Sequence, residues 1–185
     1  MVQQDVAVFV GSLRKGSYTR QIARVLIGLA PPELKLEIVE IGQLPLYNAD
    51  LETEAPPESW VEFRKRVKAA DAVLFATPEY NRSVPAALKN AIDVGSRPRE
   101  QNVWNGKPGA VVSVSPGALA AFGANHHLRQ SLVFINVLTL QMPEVYLGGV
   151  RSLLDEQGNL VKPETQEFLQ NFLRAFAEWI GRLDG

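Results

Sequence analysis

Three short runs of almost continuous apolar residues punctuate the chain: VAVFV (6–10), AVLFAT (72–77) and AVVSVS (110–115). Runs of this kind, rich in valine and without alternation, predict strands buried on both faces of a parallel sheet. LKLEIVEI (34–41) alternates and predicts a second strand, and PEVYLGG (143–149) a fifth. Between them, apolar positions recur at helical spacing. Ile22, Ala23, Leu26, Ile27 and Ala30 form one stripe, and Trp60, Phe63 and Val67 another. Phe168, Phe172, Phe176 and Ile180 place a last amphipathic helix over about 164–183. Strands that alternate with helices in this order require right-handed crossovers and predict an α/β doubly wound sheet.

Composition narrows the function classes more than it changes this picture. A chain of 185 residues is expected to form one domain over 1–185. With 19 basic and 20 acidic residues the net charge is -1, so no global field favours nucleic acid or an anionic membrane. The absence of cysteine removes disulfides, thiolate nucleophiles and cysteine metal sites together. The start, MVQQDVAVFVGS, has no basic n-region and too short an apolar run for a signal segment or a membrane span. A cytoplasmic protein with no metal centre is the expectation. His126 and His127 are neighbours, which point in different directions on a helix, so solvent or a subunit contact suits them better than a metal.

The candidate chemistry lies where three strands end, since ligands of open α/β sheets bind beyond the carboxyl ends of the strands. After the first strand, GSLRKGSYT offers the Ser12, Ser17 and Thr19 hydroxyls, the Arg14 guanidinium and the free N–H groups of a helix start, which together suit an anion. Gly11 and Gly16 have the spacing that opens a P-loop, but Ser17 stands where its lysine belongs and Tyr18 where its hydroxyl residue belongs. A monophosphate therefore fits better than a triphosphate. After the third strand, TPEYNRSVPAALKN carries an extended Thr77-Pro78 step, a Glu79-Tyr80-Asn81 turn and Pro85 in the first turn of a helix. Its backbone and the Tyr80 ring suit the edge and face of a planar heterocycle, although a packed β-α turn would look the same. After the fourth, SPGALAAFGA has small residues that either admit a ring close to the backbone or serve tight packing. Trp104 either covers such a ring or anchors a loop.

Four segments, GSLRKGSYTRQIA, LPLYNADLE, TPEYNRSVPAALKNAID and SPGALAAFGANHHLRQSL, resemble in this order the motifs of the NAD(P)H-dependent FMN reductases, most closely the chromate and quinone reductase branch. The resemblance implies a flavodoxin-like three-layer sandwich with a five-stranded parallel sheet in the order 2-1-3-4-5. It implies noncovalent FMN, with NADPH or NADH as co-substrate. Carried over by position, Ser12, Arg14, Ser17, Tyr18 and Thr19 would surround the flavin phosphate. Pro78, Glu79, Tyr80, Asn81 and Ser83 would border the ring, with Ser115 and Gly117 flanking it. The chain departs from the pattern at Thr19, where the family often has Asn, and at Ala86, Ala120 and Ala121, where it often has glycine. The alanines are expected to tighten the ring pocket.

The implied chemistry is hydride transfer from NAD(P)H to FMN and onward to a small-molecule acceptor such as a quinone, chromate, an azo compound or free flavin, in ping-pong order. No catalytic side chain is required. The family also implies a homodimer or homotetramer, with Arg129, Glu144 and Tyr146 at positions tied to subunit contacts. Apolar residues all round the helical part of HHLRQSLVFINVLTLQMPEVY suit either an interface or a core helix. Two other readings are a flavodoxin-like electron carrier or flavin sensor, and a nucleotide hydrolase using the first loop. The small net charge weighs against a carrier and the missing P-loop residues against a hydrolase.

Overall fold

A computed structural model describes residues 3–183. The four end residues of the expected 1–185 domain lie outside that span. The chain runs β1 (Gln4–Val10), α1 (Tyr18–Leu29), β2 (Leu34–Val39), α2 (Glu58–Ala69), β3 (Ala72–Thr77), α3 (Ala86–Gly95), β4 (Pro108–Val114), α4 (Phe122–Phe134), β5 (Leu138–Thr139), β6 (Val145–Leu147) and α5 (Pro163–Leu183). The strands pair in parallel in the order β2-β1-β3-β4-β5, with β6 also on β4, as a flavodoxin-like sheet.

The continuous apolar runs have a direct cause. Val6, Val8 and Val10 enter one core with Ile22 and Leu26 of α1 and Phe172 and Phe176 of α5. Ala7 and Phe9, the alternate residues of the same strand, enter the opposite core with Trp60 of α2, Leu88 of α3 and Leu128 of α4. Helices cover both faces, so neither set of side chains can be polar.

The sheet has six strands rather than the expected five. The edge of β4 is shared. Pro108 and Gly109 pair with Leu138 and Thr139, while Val112 to Val114 pair with Val145 to Leu147. Pro143 lies in the chain between the two short strands and has no N–H to give a ladder. The expected strand at 143–149 is thus reduced to 145–147. Pro85 is also shifted, to the N-cap of α3 rather than its first turn.

Trp104 is fully buried, and its indole N–H donates to the Ile92 carbonyl at 3.0 Å. Its ring stands 5.2 Å from Phe9, 5.7 Å from Phe75 and 5.9 Å from Phe63. It anchors α3 and the following loop to β1 and β3, and does not reach the loops that follow the strands. The acidic crossover 44–59 is likewise tied down. Asn90 accepts from the Tyr47 N–H and donates to the Leu44 and Pro45 carbonyls, and Arg64 pairs both guanidinium nitrogens with Glu52.

Candidate cofactor site

The loop after β1 is shaped for approach by an anion. Ser17 is the N-cap of α1; its side chain accepts from the Arg20 N–H at 3.1 Å, so its hydroxyl is already committed to the helix. The N–H groups of Tyr18 and Thr19, in the first turn, have no acceptor within the described residues. Ser12 and Thr19 are only 4 % and 3 % exposed, and neither hydroxyl bonds to the protein; no buried side-chain oxygen among the described residues lacks a partner, so what these two expose is the cavity-facing hydroxyl. Arg14 is exposed and has no carboxylate within ion-pair distance among the described residues. Gly11 packs tightly: a Cβ there would stand 3.1 Å from Pro78 Cδ and 3.2 Å from Leu88, so these side chains would have to give by a few tenths of an ångström. That contact seats the loop against the end of β3.

The loop after β3 ends in a tight two-residue turn. Tyr80 and Ser83 exchange both backbone hydrogen bonds, at 3.1 and 3.0 Å, and Asn81 and Arg82 between them have φ of 52° and 65°. Two left-handed residues in succession are the mark of a type I′ turn, a geometry that Asn tolerates but Arg does not favour. Tyr80 is 47 % exposed, with its ring free of aromatic partners among the described residues. Glu79 does not face solvent alone: its Oε2 accepts from the Ala124 N–H of α4 at 3.0 Å.

After β4, Ser115 Oγ accepts from the Gly117 N–H at 2.9 Å, and the Ser115 carbonyl accepts from Val150 N–H at 3.2 Å. Ala120 and Ala121, at positions where the family often has glycine, have φ of 52° and 58°. The left-handed region costs a side chain about 1–2 kcal/mol per residue. Both alanines are buried, but neither they nor Ala86 lines the cavity that these loops enclose, so what they add is backbone strain and not a tighter lining.

These loops enclose one cavity of about 300 Å³ at the carboxyl ends of β1, β3 and β4. Ser12, Arg14, Ser17, Tyr18, Thr19, Pro78, Glu79, Tyr80 and Ser115 all line it, together with Gly16, Val114, Pro116 and Arg151. Asn81, Ser83 and Gly117 lie outside the lining. Ser83 instead meets His127, Oγ to Nδ1 at 3.0 Å. Arg151 had no signal in the sequence: it is a surface arginine in a single 3-10 turn, brought to the rim only because Val150 is tied to Ser115.

The donor set fits a flavin mononucleotide. Hydroxyls, unpartnered amides at the start of a 12-residue helix and two guanidinium groups suit a phosphate ester. Pro78, Tyr80, Val114 and Pro116 offer apolar surface for a planar ring.

Other candidates are occupied. Glu40 receives both guanidinium nitrogens of Arg20 at 2.6 Å, and this hydrogen bonding first, with charge attraction, holds its carboxyl below the usual range. His126 stacks beside Phe122 and Tyr146, and no group of three or more His, Asp or Glu suited to a metal is found among the described residues. Arg129 bonds within its own chain to Asn125, to the Leu140 carbonyl and, at 4.0 Å, to Glu144. Burial, then the nearby Glu144 carboxylate, pushes the Tyr146 phenol up.

Comparison with known proteins identifies the family to which the chain belongs. A family model described as NADPH-dependent FMN reductase matches residues 5–151. A quinone reductase of Pseudomonas putida is 63% identical over 176 residues, covering 95% of this chain and 94% of that protein. A 2-hydroxy-1,4-benzoquinone reductase of a Burkholderia species is 42% identical over 175 residues, with 95% of each chain covered. The solved structure of the flavoenzyme NAD(P)H:(acceptor) oxidoreductase of Paracoccus denitrificans superposes with a TM-score of 0.91 at 42% identity, over 97% of this chain and 98% of the other.

Proposed function

The chain belongs to the NADPH-dependent FMN reductase family, and on that premise we propose that the cavity beyond β1, β3 and β4 holds FMN and admits NAD(P)H and a quinone in turn. The protein is an oxidoreductase with FMN as cofactor and NAD(P)H as electron donor. When bound, FMN supplies the centre that takes hydride from a nicotinamide and returns two electrons to an acceptor.

The residues of the chain bind and orient. Ser12, Thr19 and the amides of Tyr18 and Thr19 donate to the phosphate, and Arg14 and Arg151 neutralise it. Ser17 acts mainly by capping α1, which keeps those amides aimed outward. The Pro78–Tyr80 stretch borders the ring, with Tyr80 presenting its exposed face, and Ser115 holds the Gly117 turn closed on the other side. The observation that carries this reading is that Ser12 and Thr19, otherwise buried, line the cavity with hydroxyls that bond to no protein group, beside an Arg14 with no carboxylate partner among the described residues.

A quinone acceptor is favoured by the two relatives that carry that activity in their names. Donor and acceptor use one cavity mouth, so they exclude each other. Initial rates at varied NADPH and quinone are expected to give parallel double-reciprocal lines; intersecting lines would count against the shared mouth. A second copy of the chain is proposed to cover α4, whose Phe122, Val133 and Phe134 are left exposed. The expected state is a homodimer or homotetramer in the cytoplasm.

A further inference from the structure

The capping of α4 has an unusual source. Its N-cap, Ala121, is left-handed and gives no side-chain hydrogen bond. The third residue of the helix, Ala124, donates its N–H instead to Glu79, which lies 45 residues earlier and is 15 % exposed in its side chain. An N-cap side chain normally fills this role from within the helix. Here a carboxylate from another loop fills it, with its charge against the positive end of the helix.

Two further contacts join the same two segments. Gly123 passes so close to the turn that a Cβ there would stand 2.9 Å from the Arg82 carbonyl oxygen and 3.0 Å from Glu79 Oε2. One helical turn further on, His127 Nδ1 meets Ser83 Oγ at 3.0 Å. The Tyr80–Ser83 turn is therefore held by α4 at its entry, its middle and its exit. Glu79 also reaches Arg82, but at 3.9 Å and with Arg82 largely exposed, that pair adds little.

We propose that Glu79 is a positioning residue. By capping α4 it locks the Tyr80–Ser83 turn to that helix, and so fixes where Tyr80 stands at the cofactor cavity. The functional half of this statement rests on the FMN reading above; the mechanical half does not. Glu79 also lines the cavity, but the role assigned here is exerted through α4, and this separates it from Ser12, Arg14 and Thr19, which act on the phosphate directly.

The test uses E79A, E79Q, G123A and the E79A/G123A double variant, with two readouts. The first is amide hydrogen exchange in flavin-free protein. Ser83 N–H, which donates to Tyr80, is expected to exchange at least several-fold faster in E79A and G123A than in the parent chain, and near the parent rate in E79Q, whose amide oxygen still accepts from Ala124. The second is the FMN dissociation constant. E79A and G123A are each expected to raise it several-fold, the double variant by no more than the larger single effect, and E79Q by much less. Unchanged Ser83 exchange in both E79A and G123A would overturn the lock. Weakened FMN binding in E79A and E79Q with none in G123A would show direct contact and overturn the positioning role. If E79A does not fold, G123A and E79Q carry the same comparison. A parent chain that binds no FMN would sink the cofactor reading, while the exchange data would still decide the lock.

Discussion

Replacing Trp104 by Ala is expected to cost about 3–5 kcal/mol of stability, the range for truncating a fully buried aromatic. The side chain is inaccessible, touches Phe9, Phe63 and Phe75, and satisfies the Ile92 carbonyl. Truncation leaves a cavity between three aromatic rings, which rotating one neighbour cannot fill, and removes one of the two donors of the Ile92 carbonyl, the Ser96 N–H remaining at 3.0 Å. The site is already filled to its limit: a Cβ at Gly95 would stand 2.5 Å from the indole nitrogen, so this helix end is shaped around the ring. In a chain of this length the loss corresponds to roughly 6–20 °C in Tm. Urea unfolding should show the midpoint falling with little change in slope. A Tm within a degree or two of the parent would remove Trp104 from the core described above. Flavin affinity that falls without any loss of stability would return it to the ring.

Replacing Arg14 by Ala is expected to weaken FMN binding by about 1.5–3 kcal/mol, the worth of a hydrogen bond to a charged group, or roughly ten- to a hundredfold in Kd. The phosphate ester carries about two negative charges near neutral pH. The start of α1 offers roughly half a positive charge, so most of the neutralisation must come from arginine. Arg14 is exposed, and the effect should shrink as salt is added. Riboflavin, which lacks the phosphate, serves as the control; its affinity should be nearly equal in parent and variant. The stability of the flavin-free chain should change by less than about 0.5 kcal/mol, since the side chain makes no contact that folding uses. Fluorescence titration of FMN reads the effect directly. A Kd within twofold of the parent would place the phosphate elsewhere.

What the sequence made visible follows from the range of each interaction. β1, β3 and β4 were legible because a strand covered on both faces leaves no position for a polar residue, and α2 because Trp60, Phe63 and Val67 share one face. The phosphate loop was legible because helix start, hydroxyls and arginine lie within eight residues of each other, Ser12 to Thr19. The short β5 was not, since two residues that continue the apolar pattern of α4 carry no signal of their own. Trp104 could be read either way from its neighbours in sequence; burial decides it. The type I′ turn at Asn81 and Arg82 lacks the glycine that would announce it. Glu79 takes its place beside the ring from the family resemblance and does line the cavity, but its bond to Ala124 had no local trace in the sequence. Arg151 reaches the cavity through a chain reversal at Gly149, where φ is 57°, and not through any motif.

The most direct test of the whole account is an anaerobic visible spectrum of the protein loaded with FMN and freed of excess flavin, before and after NADPH or NADH is added, then after a quinone is added. The bound flavin bands should bleach rapidly with the nucleotide and return with the quinone. Retained flavin that bleaches only slowly would contradict the reductase and favour a carrier or sensor, and failure to retain flavin would contradict the assignment of the cavity itself.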